Sequence, residues 1–145
     1  VIEFHVDRTD SLPAYAQIAQ QVREALRLGR LHPGDRLPTV RDVVVSCTVN
    51  ANTVQKAYRE LEHAGLVEAR QGSGTYVSGT LGTVDPHDMK RLRTGLARWV
   101  AEARKAHLED EDVRALVTAV LAEEPAAVER LASEAGLEAG LEARP

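Results

Sequence analysis

Polar side chains with recognition chemistry cluster between residues 50 and 59: Asn50, Asn52, Gln55, Lys56 and Arg59. The carboxamides of Asn and Gln can pair bidentately with an adenine edge, and Lys and Arg suit guanine or a phosphate. Val54, Ala57, Tyr58 and Leu61 are interleaved with them at the spacing of an apolar helical stripe. The polar set therefore occupies the opposite face of one helix. Thr53, near its start, is divided between bonding the helix end and meeting a phosphate. A second set lies downstream, where Arg70 adjoins Gln71, Gly72, Ser73 and Gly74. Glycines at such a tip let backbone approach a ligand closely. Arg36 and Arg41 add cations upstream.

The elements that must carry these residues can be read from caps and periodicity. Asn50 is an N-cap type and Gly65 a natural residue to end the helix. Ahead of it, Thr39 with Asp42 three residues on forms a variant of the capping box. Val40, Val43, Val44 and Cys47 follow at helical spacing. Two short helices joined by a tight turn, the second with a base-reading face, have the form of a helix-turn-helix. An amphipathic helical hairpin with a solvated polar face would share this pattern. The next residues separate the two: Leu66–Ala69 and Thr75–Val77 read as short strands flanking the glycine-rich tip, which is a hairpin. Helix-turn-helix followed by hairpin is the winged-helix order.

Several of these motifs together resemble the DNA-binding domain of GntR-type bacterial transcription regulators. The likeness rests on Leu37-Pro38-Thr39-Val40-Arg41-Asp42, Asn50-Ala51-Asn52-Thr53-Val54, Ala57-Tyr58-Arg59-Glu60-Leu61-Glu62, Gly65-Leu66-Val67 and Arg70 to Val77. It extends back to Pro13-Ala14-Tyr15-Ala16-Gln17-Ile18 and Pro33-Gly34-Asp35-Arg36. The resemblance implies DNA contacts from Arg41, Asn50, Asn52, Gln55, Gln71 and Gly72, with Ser73 and Gly74 nearby. Lys56 and Arg70 join this set as cations, and Arg59 does so unless it pairs locally with Glu60 or Glu62. Two residues depart from the family. Ala51 stands where many members have arginine, and the small residue in Asn-x-Asn-Thr looks more like the YtrA subgroup, whose C-terminal parts are short and helical. Thr48 stands where the turn usually has glycine; a β-branched residue at positive φ is costly, so the turn is expected to differ locally.

Composition narrows the function. The 145 residues allow one large or two small domains, and 43% hydrophobic content permits a real core. The net charge is −4, and the first 80 residues carry 9 Lys+Arg against 9 Asp+Glu while the remainder carries 9 against 13. DNA binding must therefore use a local patch rather than bulk charge. Cys47 is the only cysteine and falls on an apolar stripe, which suggests a small core residue and a reducing cytosol. No apolar run reaches the roughly 20 residues needed to span a membrane, so a cytoplasmic location is expected. His5, His32, His63, His87 and His107 show no ligand spacing. Neither a metal, a cofactor nor an enzymatic activity is expected; a small-molecule effector stays open.

Along the rest of the chain, Ile2, Phe4 and Val6 alternate with polar residues, as in a short strand or extended arm. Asp10 or Ser11 should cap a first helix with Pro13 in its first turn, a stripe from Tyr15 to Leu26, and a stop at Gly29. Pro33-Gly34-Asp35 is a turn, and Arg36-Leu37 a short strand pairing with the wing. Val43-Val44-Val45 fits a helix poorly, but the flanking caps and wing favour one. Residues 79–84 read as a linker between a DNA-binding domain, 1–78, and a helical dimerisation domain, 85–136, with 137–145 a disordered tail. The first C-terminal helix carries Met89, Leu92, Leu96, Trp99 and Ala103, a stripe suited to a dimer interface. The next has the acidic run Glu109–Asp112 at its N-terminus and a stripe of Val113, Leu116, Val117, Val120 and Leu121, and a last one ends before Gly136. The fold expected is mainly α with a small β-hairpin wing: a winged helix-turn-helix followed by short dimerising helices. The function expected is a homodimeric repressor that occludes a promoter at a roughly palindromic double-stranded DNA operator. The competing reading is a winged-helix protein-interaction module that binds no DNA, motivated by the negative charge.

Overall fold

In a computed structural model of the chain, the structure describes residues 2–82 and 84–142, with 137–142 as backbone only. The elements are α1 (Ala14–Arg27), α2 (Val40–Cys47), α3 (Ala51–His63), β1 (Val67–Arg70), β2 (Gly74–Val77), α4 (Pro86–Lys105), α5 (Asp110–Ala122) and α6 (Pro125–Glu142). They fall into two compact units that divide between Met89 and Lys90.

The first unit is built around α3. Its buried face, Val54, Ala57, Tyr58 and Leu61, packs on α1, α2 and β1. From α1 come Ile18, Ala19, Val22, Ala25 and Leu26, the predicted stripe; α2 adds Val43, and Leu37, Leu66, Val67 and Val77 close the core. Val43 is 1% exposed, and Val40, Val44 and Cys47 pack half-buried beside it. That burial, with the capping box at Thr39 and Asp42, outweighs the weak helix preference of the valine run. At the end of α3, Gly65 takes φ 74 and Leu66 N donates back to Leu61 O at 3.0 Å, a Schellman closure that needs a left-handed residue.

The wing is one antiparallel pair with Val67 opposite Val77 and Arg70 opposite Gly74. The expected third strand is reduced to one bridge, Arg36 to Tyr76, although Leu37 N donates to Thr75 O at 2.9 Å and Val77 N to Asp35 O at 2.8 Å. The turn at Pro33–Asp35 leaves too little extended chain for more.

Two expectations change and one open alternative is decided. The N-cap of α1 is Pro13, extended at ψ 151, and not Asp10 or Ser11; the Asp10 carboxylate is taken by Leu12 N at 2.9 Å. Of the short strand and the extended arm expected for residues 2–6, the chain forms the arm: Phe4 is buried, while Gln21 bonds both the N–H and the C=O of His5. The proposed linker is partly docked. Gly79 N bonds Leu66 O, a side chain at Gly79 would meet Gly65 O at 2.6 Å, and Leu81 packs on the core. The first unit thus extends past residue 78.

In the second unit, α6 continues through Gly136 to Glu142, where the sequence suggested an end and then a disordered tail from 137. Gly136 and Gly140 each cost the helix about 1 kcal/mol, which the Ala-, Leu- and Glu-rich stretch around them offsets. Residues 143–145 lie outside the described residues. Among the described side chains of α4, α5 and α6, only Ala103 is buried, and the element pairs that pack substantially all belong to the first unit.

Candidate nucleic-acid interface

The turn between α2 and α3 aims one polar stripe outward. Asn52, Gln55, Lys56 and Arg59 stand one helical turn apart along α3, all exposed, opposite its buried face. Asn50 is outside the helix, and its side-chain oxygen accepts Asn52 N at 2.8 Å as the N-cap. Its amide N–H groups remain the part that can face a ligand. Thr53 is half-buried at the same end.

Two cations are fixed by aromatic rings. Lys56 Nζ sits 3.9 Å from the centroid of the Tyr15 ring, which belongs to α1. Arg70 lies 4.3 Å over the Tyr76 ring while its Nε bonds Glu68 at 2.9 Å. Arg70 therefore lies along the wing rather than at its tip. Arg59 pairs with neither Glu60 nor Glu62; its Nε donates to the Gln55 carbonyl at 3.4 Å. Arg41 is exposed in the first turn of α2.

The wing tip, Gln71-Gly72-Ser73, is exposed, with Ser73 Oγ 2.7 Å from the Tyr76 hydroxyl. Gly74 approaches Arg36 so closely that a Cβ there would lie 2.8 Å from Arg36 Nε. A shallow groove joins the elements, lined by Val40, Gln55, Tyr58, Arg59, Ala69 and Thr75 and by the Glu62 carboxylate, which accepts Ala69 N at 3.4 Å. The geometry thus brings together the recognition stripe and the wing, with Gln55 and Arg59 nearest the hairpin.

Beneath this surface, the Tyr58 hydroxyl donates to the Pro38 carbonyl at 2.5 Å. Burial first, then the neighbouring Asp42 and Cys47, pushes its pKa well above the ordinary tyrosine value. Cys47 donates to the Phe4 carbonyl at 3.2 Å, which fits its expected place beside the core. The sequence reading missed the role of Tyr15, which appears there only as an apolar stripe residue.

A helix-turn-helix with an outward amide-and-cation stripe and an adjoining two-stranded wing defines a winged-helix DNA-binding protein. Residues 14–77 match the family described as bacterial regulatory proteins, gntR family. The chain is 35% identical over 119 residues to the HTH-type transcriptional repressor YtrA of Bacillus subtilis, covering 81% of this chain and 92% of that one. It is 40% identical over 115 residues to the HTH-type transcriptional regulator Rv1152 of Mycobacterium tuberculosis, covering 79% and 91%. A solved structure described as a transcriptional antiterminator from Listeria monocytogenes matches with a TM-score of 0.53 at 27% identity, over 81% of this chain and 88% of that one. The chain belongs to the GntR family and is a DNA-binding transcription regulator, with YtrA-like organisation over most of its length. No helix among the described residues is long and apolar enough to cross a membrane.

Proposed function

We propose that the chain is a cytoplasmic, non-enzymatic, homodimeric repressor that reads a roughly palindromic operator and blocks a promoter. The observation that carries the dimer is the unfilled second unit. Leu92 and Leu96 of α4 are 54% and 55% exposed, Leu121 of α5 is 80% exposed, and α5 has no buried residue. Among the described side chains, one buried alanine cannot hold three helices, because short helices depend on tertiary packing. A second copy offers the same stripes, and a two-fold interface would cover both sets at once. Of the expected interface residues, Leu92 and Leu96 are the most available, Met89 and Trp99 are half-buried, and Ala103 is already covered.

Within each half, Asn52 and Gln55 would read base edges, with Asn50 and Thr53 at the helix start. Lys56, Arg59, Arg41 and Arg70 would meet phosphates or guanines, and Gln71 to Gly74 would reach a flanking groove. Two weak half-sites then gain strength through effective concentration. The repressor role is drawn from the similarity to the transcriptional repressor YtrA of Bacillus subtilis. The test is a mobility shift with DNA upstream of the chain's own gene and with random duplex, alongside sedimentation of the protein. A two-fold complex on one site supports the proposal. Equal weak binding to both duplexes would instead favour a winged helix that serves another partner.

A further inference from the structure

Thr48 ends α2 at φ 53, ψ 50, the left-handed conformation. The turn has not changed shape to suit a β-branched residue; it keeps the shape that glycine adopts freely, although threonine disfavours it. Some interaction outside the residue must favour this state. Arg8 supplies one: its Nη2 donates to the Thr48 carbonyl across forty positions of sequence.

Arg8 is itself held in place. Asp7 N donates to Gln17 Oε1 at 2.8 Å, and Gln17 Nε2 donates to the carbonyls of Asp7 and Leu12, each at 2.8 Å. Gln17 is 7% exposed in α1, so this clasp is rooted in the core. The Asp7 carboxylate accepts the Thr9 hydroxyl at 2.6 Å and the Thr9 N–H at 2.9 Å, which hold its pKa below the usual carboxylate range. Residues 5–12 thus form a bracket on α1, and Arg8 reaches from it to the turn. Asp7, Arg8, Thr48, Asn50 and Thr53 line one groove beside the start of α3.

We infer that Arg8 is a positioning residue for the recognition helix: by gripping the Thr48 carbonyl it keeps the turn left-handed and so fixes the direction in which α3 is presented to DNA. This rests on the DNA-binding reading above. Thr48 is two residues from the Asn50 cap, so a change in its backbone re-aims α3 from its first residue. Without the grip, the turn samples other states, and apparent affinity falls by the fraction that remains competent. A hydrogen bond of ordinary net strength corresponds to about a five-fold effect.

The test uses the full chain and a duplex carrying the site that the native protein selects from random DNA. Arg8→Ala should weaken binding about five-fold with an unchanged salt slope, because no phosphate contact is lost. Thr48→Gly should bind as well as the native chain, since glycine accepts the turn unaided. In the Thr48→Gly background, Arg8→Ala should cost less than about two-fold. An equal loss in both backgrounds, a slope reduced by about one unit, or no loss at all would overturn the inference. Hydrogen exchange at Val49 to Thr53 in DNA-free protein separates this inference from the DNA reading. Faster exchange in Arg8→Ala, cured by Thr48→Gly, supports the grip even if no DNA site is selected, and unchanged exchange overturns it. If Arg8→Ala alone fails to fold, a folded double variant carries the same conclusion, and failure of both variants overturns it.

Discussion

Tyr58→Phe is the most informative single change in the first unit. The ring is 6% exposed and its hydroxyl bonds the Pro38 carbonyl, immediately before the Thr39 cap of α2. The bond ties the middle of α3 to the entrance of α2. Phenylalanine keeps the ring packing and removes the oxygen. The loss has two parts: a net hydrogen bond of about 1 kcal/mol, and about 1 kcal/mol for a half-buried carbonyl left without its donor. About 2 kcal/mol at neutral pH is expected. With a urea slope of about 1.5 kcal/mol per M, the midpoint should fall by about 1.3 M at fixed chain concentration.

The pH dependence gives a second, independent sign. The folded pKa of Tyr58 is raised, so the folded state holds its proton more tightly than the unfolded chain. Its contribution is therefore complete below the unfolded value of about 10 and is lost as pH rises through the folded value. Above about pH 10, native protein should lose about 1.4 kcal/mol per pH unit relative to Tyr58→Phe. The two stabilities should meet near about pH 11.5. Urea titrations of both proteins from pH 7 to 11.5 provide the assay. A difference under about 0.3 kcal/mol at pH 7, or a gap that does not close in alkali, would refute the reasoning.

Other expected outcomes concern the proposed interface. Asn52→Ala or Gln55→Ala should cost about 1–3 kcal/mol per half-site on the selected duplex and much less on random DNA, as measured by titration; equal losses would remove these residues from base reading. Arg41→Ala should reduce the log–log salt slope by about one unit with little change in sequence preference, and an unchanged slope would place Arg41 off the backbone. Sedimentation across a concentration series should show Leu96→Ala and Trp99→Ala shifted toward monomer, and truncation after Gly82 should leave a folded monomer with weaker operator binding. A truncated chain that stays dimeric would locate the interface in the first unit.

The sequence was most legible where local chemistry and burial agree. Thr39 with Asp42, Asn50, and Gly65 mark helix ends that the structure uses as such, and the stripes on α1 and α3 become the core. It was less legible where backbone bonds go to side chains. The alternation of residues 2–6 resembles a strand, but its partner is the Gln21 amide, which no periodicity announces. Pro13 moved the start of α1 because its extended conformation ends the approach rather than begins the helix. In the C-terminal half, an apolar stripe tells which face needs cover but not what covers it. The same stripe that was readable on α4 therefore left the arrangement of α4 to α6 open.

Charge and rigidity together suggest how a chain of net charge −4 engages a polyanion. The first unit, balanced in charge through residue 80 and carrying Asp85 and Asp88 beyond it, gains nothing from bulk attraction, so each cation must be well placed. Lys56 rests on Tyr15, Arg70 on Tyr76 with Glu68, and Arg36 fits against Gly74. A cation held over a ring loses less side-chain freedom on binding than a free lysine or arginine, and the ring's attraction persists without a salt partner. The bracket around Arg8 applies the same economy to the backbone, fixing the turn before DNA arrives. Such a surface would gain affinity from preorganisation within each copy and from linkage between two copies. That combination predicts weak binding by one half and steep dependence on the second, since neither charge nor any induced ordering makes up the difference.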